Sequence, residues 1–212
     1  MNRKKKLNKT LNSRLKRANA KLHTSNKPKY VSKEVRAQQE ALNDLVIAET
    51  ERLIIRPLRA TDTAMVLSLF NEPDVINFVG DKGIKKSEDA LHYIQSGPLA
   101  MQIKLGFSLY CCQLKGSDET VGLAGLIKRD GIDEVEVGFS MLSQYYRQGY
   151  AKESINAVIN YAKSTLNINV FQAITSPENN ASIKLLEGLG FNFKSKILLP
   201  TTENEINLFE LR

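Results

Sequence analysis

The chain has 212 residues, 30 Lys+Arg against 23 Asp+Glu, and a formal net charge of +7. At 42% hydrophobic and 25% charged it has the composition of a folded globular protein, which excludes a wholly disordered chain. The charge is uneven: residues 1–40 carry 13 basic and 2 acidic side chains, whereas residues 41–212 carry 17 basic and 21 acidic ones, so a basic arm is joined to a mildly acidic body.

Residues 1–45 form the arm. Leu7, Leu11, Leu15 and Leu22 lie near one face of a helix whose other faces carry Lys and Arg. So few apolar side chains cannot bury enough surface to fold alone, and the segment is expected to be disordered or a marginal basic helix. Ser25-Asn26-Lys27-Pro28 breaks it, and Ser32 opens a short second helix toward Leu45. The basic start is not followed by an apolar run, so it does not read as a secretory signal.

The body, residues 46–212, starts with a strand over 51–58. Asp62 is expected to cap a helix through Phe70, with Ala64, Leu67 and Phe70 on one face. Ser87 starts another helix, with Ala90, Leu91 and Ile94 at helical spacing. Residues 107–114, the turn Lys115-Gly116-Ser117-Asp118 and residues 120–128 form a hairpin. Cys111 and Cys112 are neighbours in its first strand and point to opposite faces, so free thiols are expected rather than a disulfide. Asp130-Gly131 turns the chain into a strand over 134–142. After the loop 145–150 comes the clearest helix, with Ala151, Ile155, Val158, Ala162 and Leu166 along one stripe. A strand over 169–175 follows. Ser176-Pro177-Glu178-Asn179 then opens a helix to Leu189, with Ala181, Leu185 and Leu189 inward and Gly190 as its stop. Residues 191–199 and 206–211 close the chain as strands. The order β-α-α-β-β-β-α-β-α-β-β predicts an α/β fold with a mixed, mostly antiparallel sheet flanked by helices. No apolar run approaches the roughly 20 residues of a membrane span. With only His23 and His92, neither a His-rich metal site nor a Ser-His-Asp triad is expected.

The junction between the strand over 134–142 and the long helix is the informative feature. Free N–H groups and the positive end of the dipole make such a helix start an anion site. Arg147 and Gln148 add donors, Gly149 lets the backbone approach a phosphate, and Ala151 is small where the helix would meet the ligand. The segment Gln144-Tyr145-Tyr146-Arg147-Gln148-Gly149-Tyr150-Ala151-Lys152-Glu153-Ser154 resembles the acetyl-coenzyme-A pyrophosphate motif of GNAT N-acetyltransferases. Three further segments resemble that family in order and spacing. Residues 49–56 (ETERLIIR) match its first strand, 135–139 (VEVGF) its fourth, and 179–191 (NNASIKLLEGLGF) its last helix and turn. The subgroup is the one containing the ribosomal-protein N-terminal acetyltransferases. The resemblance covers about Ala48 to the C-terminus. In the arm, residues 1–10 and 26–30 resemble a small basic bacterial domain of unknown function.

The resemblance implies acetyl-CoA as co-substrate, no metal, and direct attack of an amine on the thioester. It implies backbone N–H groups near Phe139, Met141 and Leu142 for the pantetheine and carbonyl, and those of Arg147, Gln148, Gly149, Tyr150, Ala151 and Lys152 for the pyrophosphate. Asn179 would bond the pantetheine arm and Ser182 would approach the sulfur; Asn179 alone reads equally as a helix cap. Glu136, a lone carboxylate in an apolar half-strand, is the candidate general base. Strand alternation alone would place it on the solvent face. Where many relatives carry a tyrosine as general acid, this chain has Leu186, so Ser182 or water must protonate the thiolate.

The expected activity is a cytoplasmic N-acetyltransferase acting on a primary amine, such as a protein N-terminal α-amine. The alternatives are a small-molecule amine acetyltransferase (antibiotic, polyamine or amino acid) and a ribosome- or RNA-associated binding protein with a weakly catalytic GNAT domain. The arm's surplus of 11 positive charges suits a polyanion, RNA or the ribosome first, with salt-sensitive binding. The chain is expected to act as a monomer or a dimer.

Overall fold

The computed structural model describes residues 33–200 and 204–212. The leucine-spaced arm and its Ser25-Asn26-Lys27-Pro28 break lie outside them. The unit Ala37–Arg212 carries the fold. Helix α1 (Lys33–Ala41) precedes the strand pair β1 (Ala48–Glu49) and β2 (Leu53–Pro57). Four short helices follow: α2 (Thr63–Leu69), α3 (Pro73–Val79), α4 (Ser87–Ile94) and α5 (Ala100–Leu105). Then come β3 (Leu109–Leu114), β4 (Thr120–Ile127), β5 (Val135–Met141), α6 (Tyr150–Thr165), β6 (Phe171–Thr175), α7 (Asn180–Gly188), β7 (Asn192–Ile197) and β8 (Ile206–Leu211).

The strands make one sheet in the order β1-β2-β3-β4-β5-β6-β8-β7. Every pair is antiparallel except β5 with β6. One core cluster joins Ile155, Val158, Ile159 and Ala162 of α6 and Leu186 of α7 to Ile55, Tyr110, Cys112, Ala124, Leu126 and Val137 of the sheet. The other joins Met65, Val66, Leu69, Val75, Ala90 and Ile94 of α2–α4 to Leu58, Cys111, Leu123 and Leu142. Cys111 and Cys112 thus sit in different clusters, as the two-residue period of a strand requires. Both are free and fully buried.

A bulge sets the alternation in β4. Cys112 pairs with Gly122 but Gln113 with Thr120, so β4 carries one extra residue there. Val121 and Ala124, three apart, therefore reach the same cluster. Gly122 and Gly125 are required by close approach: a Cβ would meet Ser140 O at 2.3 Å and Ser108 O at 2.2 Å respectively.

The helical layer is richer than the sequence pattern suggests. Helices α3 and α5 interrupt a stretch that shows no clear period, and residues 95–99 make one widened turn around Pro98. Proline has no N–H to continue the α ladder, and the wider turn accommodates it. Asp62 does not cap α2 with its side chain. Both its oxygens accept from Arg56, Oδ2 from Nη1 at 2.8 Å and Oδ1 from Nη2 at 2.9 Å. In α7 Leu185 and Leu189 pack half-buried against the first core cluster, as their spacing implies, but the fully buried side chain is Leu186 and Ala181 is exposed. No helix among the described residues is long and apolar enough to cross a membrane.

Candidate active site

Strands β5 and β6 pair only at Val135 with Phe171 and Glu136 with Gln172, then part. Beyond Glu136, β5 is paired on its β4 side alone. Leu142 N–H donates to Val121 O at 2.9 Å. Because an antiparallel ladder alternates, residues 142, 140, 138 and 136 turn their backbone groups to β4. Phe139 and Met141 turn theirs into the opening between β5 and β6. Of the three residues expected to offer N–H groups there, Leu142 does not, since β4 has taken its donor.

The opening runs into the loop that starts α6. Arg147 (φ 59°) and Gly149 (φ 85°) are both left-handed. For arginine that conformation costs about 1–2 kcal/mol, whereas glycine adopts it freely. The chain enters α6 with unspent donors. Among the described residues, none of the N–H groups of Arg147, Gln148, Gly149, Tyr150, Ala151 and Lys152 meets an acceptor. Such a row at a helix start suits an anion, and a pyrophosphate fits its length and charge. Tyr145 and Tyr150 pack edge to face at 6.1 Å behind the loop. Lys152 Nζ reaches toward α7, 4.0 Å from where a Cβ on Gly188 would lie.

Across the opening, Asn179 caps α7: its Oδ1 accepts Ser182 N–H at 3.0 Å. Its Nδ2 and the Ser182 hydroxyl have no hydrogen-bond partner among the described residues, so each has a donor to give. Leu186, at the position where the resemblance implies a tyrosine, lies inside the core.

Glu136 is not on a solvent face. It is 3% exposed, and both its oxygens are held by Arg129, Nε to Oε2 at 2.5 Å and Nη2 to Oε1 at 3.0 Å. Alternation puts Glu136 on the face opposite Val137, but helices cover that face too. Continuing the β4–β5 register from Ile127 and Glu136 toward the Asp130-Gly131 turn sets Arg129 diagonal to Glu136 on one face, within reach of a long side chain. Two more groups face this pair. Burial, then the charge of Arg129, lowers the Lys82 ammonium, with Glu136 opposing. Burial pushes the Tyr93 phenol up to about 12, with Arg129 pulling back.

Sequence reasoning found the loop, because its residues are contiguous. It missed Arg129, which reads as an ordinary turn charge; counting the register across the hairpin is the signal that finds it. It also missed Arg52, whose partner Glu153 lies 101 residues away.

Residues 52–192 match the family model of the acetyltransferase (GNAT) domain, and residues 1–43 match a family of unknown function, DUF2986. Among curated proteins the chain is similar to the uncharacterized N-acetyltransferase YoaA of Bacillus subtilis, 27% identical over 146 residues, covering 68% of this chain and 82% of that protein. Among solved structures it is similar to an acetyltransferase from Agrobacterium tumefaciens, with TM-score 0.66 and 24% identity over 77% of this chain and 92% of that one. It also shares the fold of the ribosomal L7/L12 α-N-protein acetyltransferase RimL, solved with coenzyme A, at TM-score 0.67 and 14% identity over 78% of this chain and 97% of that one. The family match spans the parted strands, the loop and both helices that flank them, and the chain belongs to the GNAT acetyltransferase family.

Proposed function

We propose that this N-acetyltransferase moves the acetyl group of acetyl-CoA to the α-amine of a protein N-terminus. The observation that carries the donor is the row of six unaccepted N–H groups over 147–152, continuous with the opening between β5 and β6. When bound, acetyl-CoA supplies an activated thioester; the protein positions it and manages protons. The loop N–H groups and Arg147 hold the pyrophosphate. Phe139 and Met141 offer backbone N–H groups along the opening. Asn179 Nδ2 is free to donate to the pantetheine arm while its Oδ1 fixes the start of α7. Ser182, with an unspent hydroxyl, or water returns a proton to the thiolate. Glu136 takes the ammonium proton through a water. Arg129 engages each carboxylate oxygen once, which leaves a lone pair on each for that water.

The acceptor reading is supported by the resemblance of the body, from about Ala48 to the C-terminus, to the ribosomal-protein subgroup and by the shared fold with RimL, a ribosomal L7/L12 α-N-protein acetyltransferase. The basic arm supports it independently, since 13 basic against 2 acidic side chains over residues 1–40 favour a ribosomal or RNA surface. Thiol release from acetyl-CoA, measured with peptides bearing free or blocked N-termini and with spermidine and an aminoglycoside, tests the acceptor. Turnover with the free peptides is the expected result. Turnover with the small amines alone replaces the acceptor and leaves the donor standing. Retention of RNA by the full chain, falling steeply with salt and lost on deleting residues 1–36, is the expected behaviour of the arm; equal retention after deletion removes that partner.

A further inference from the structure

We infer that Arg52 is a positioning residue for the phosphate loop, bolting residues 148–153 to the β1–β2 edge of the sheet in the geometry that receives the pyrophosphate. The inference rests on the reading of residues 147–152 as the pyrophosphate site and adds the part that holds it in shape.

Three contacts converge on one guanidinium. Nη1 donates to Gln148 O at 2.9 Å. That carbonyl shares a trans peptide with Gly149 N–H, so drawing the oxygen toward Arg52 aims the N–H the other way. The guanidinium lies 4.4 Å from the centre of the Tyr150 ring, at the first position of α6. Nε and Nη2 reach Glu153 Oε2 at 2.7 and 2.6 Å. The approach is close enough that a Cβ on Gly149 would stand 3.3 Å from Nη2.

The Glu153 contact has an electrostatic purpose. A carboxylate in the first turn of α6 would repel a pyrophosphate bound at the same helix start. Here both oxygens are occupied: Oε1 accepts from Thr50 Oγ1 at 2.5 Å and from Arg52 N at 3.0 Å, and Oε2 takes the guanidinium. Burial raises the Glu153 carboxyl, but the bonds from Thr50 and Arg52 outweigh it and hold it below its ordinary value. The negative charge is turned to the sheet edge and neutralised there. Arg52 is 42% exposed, so its removal leaves the core packing intact.

Calorimetric titration of the full chain with CoA and with pantetheine, which lacks the pyrophosphate, tests the inference. Arg52→Ala is expected to weaken CoA about tenfold, ~1.4 kcal/mol, while pantetheine affinity stays within about twofold, well below the effect of a lost charged hydrogen bond. Arg52→Lys keeps the charge but not the fork, and falls between the two. Unchanged CoA affinity in Arg52→Ala, or equal weakening of both ligands, overturns the inference. If the unaltered protein binds CoA no more tightly than pantetheine, the pyrophosphate reading itself fails and the inference falls with it.

Discussion

Arg129 grips Glu136 by both carboxylate oxygens, at 2.5 and 3.0 Å, from the turn that precedes the strand carrying the carboxylate. A buried carboxylate in an apolar strand requires such a partner, because an unpaired charge there would be strongly disfavoured. The pair therefore has a structural reason to exist whether or not Glu136 moves a proton, and two substitutions separate the roles. Glu136→Gln preserves shape and removes basicity. It is expected to lower kcat by about 100-fold or more, the lower range for loss of a general base, with CoA affinity unchanged in calorimetry. Retained kcat would leave Glu136 a structural residue only. Arg129→Ala instead strands the carboxylate. Arg129 is 33% exposed, so the expected loss is about 1–3 kcal/mol of stability, below the figure for a fully buried pair, read from denaturant unfolding.

The difference between what the sequence reveals and what it hides is one of range. Helix α6 is legible because Ile155, Val158 and Ala162 repeat at helical spacing over 16 residues. The β3–β4 and β4–β5 hairpins are legible from their turns, and the phosphate loop from six contiguous residues. Helices α3 and α5, with 7 and 6 residues, are too short to show a stripe. Asp62 carries every local mark of a cap for α2, yet its oxygens turn back to Arg56 and the Arg59 N–H, and no local pattern announces that. In α7 the spacing finds Leu185 and Leu189, which pack against the core, but misses the adjacent Leu186, which only packing selects as the fully buried side chain. Arg52 and Arg129 act through contacts whose partners are fixed by the fold.

Arg56 and Asp62 form a second buried pair, at 5% exposure each. It is fully bonded: Arg56 Nε donates to Gln113 Oε1 at 2.7 Å, Nη1 to Pro57 O at 3.1 Å, and Asp62 Oδ2 also accepts Arg59 N–H at 2.7 Å. Removing one partner leaves an unpaired buried charge. Arg56→Met alone is expected to cost about 3–5 kcal/mol, and adding Asp62→Leu to recover most of it. Urea unfolding of the two single variants and the double checks this. A double variant no better than the worse single one would mean that the bonds to Gln113, Pro57 and Arg59 matter more than the charge pairing.

The two thiols should be inert. Cys111 and Cys112 have no exposed surface, and burial pushes both above their ordinary values, Cys112 to about 12 despite the opposing Ser154 hydroxyl. The thiolate is the reactive form, so neither should react with a thiol reagent at pH 8 in the native protein. Both should react on unfolding in guanidinium. Labelling of one thiol under native conditions would show that its core cluster opens locally.

Acid sensitivity should centre on the β7–β8 edge. Glu210 on β8 accepts from Lys194 of β7, from Arg212 Nε at 2.6 Å and from Gln172 of β6 at 3.3 Å. The bonds from Lys194 and Arg212 lower its carboxyl from 4.5 to about 2. A carboxyl lowered by folding stabilises the native state above its unfolded value, and that contribution is lost as pH falls through the folded one. The window is therefore from about pH 4.5 down to about pH 2. Glu210→Gln is expected to be less stable than the unaltered protein at pH 6 and to lose less on acidification, so that the two unfolding curves converge toward pH 2. Thermal melts across that range check it. Parallel curves with a constant offset would place the effect in the packing of the side chain, since charge at Glu210 is what makes the difference depend on pH.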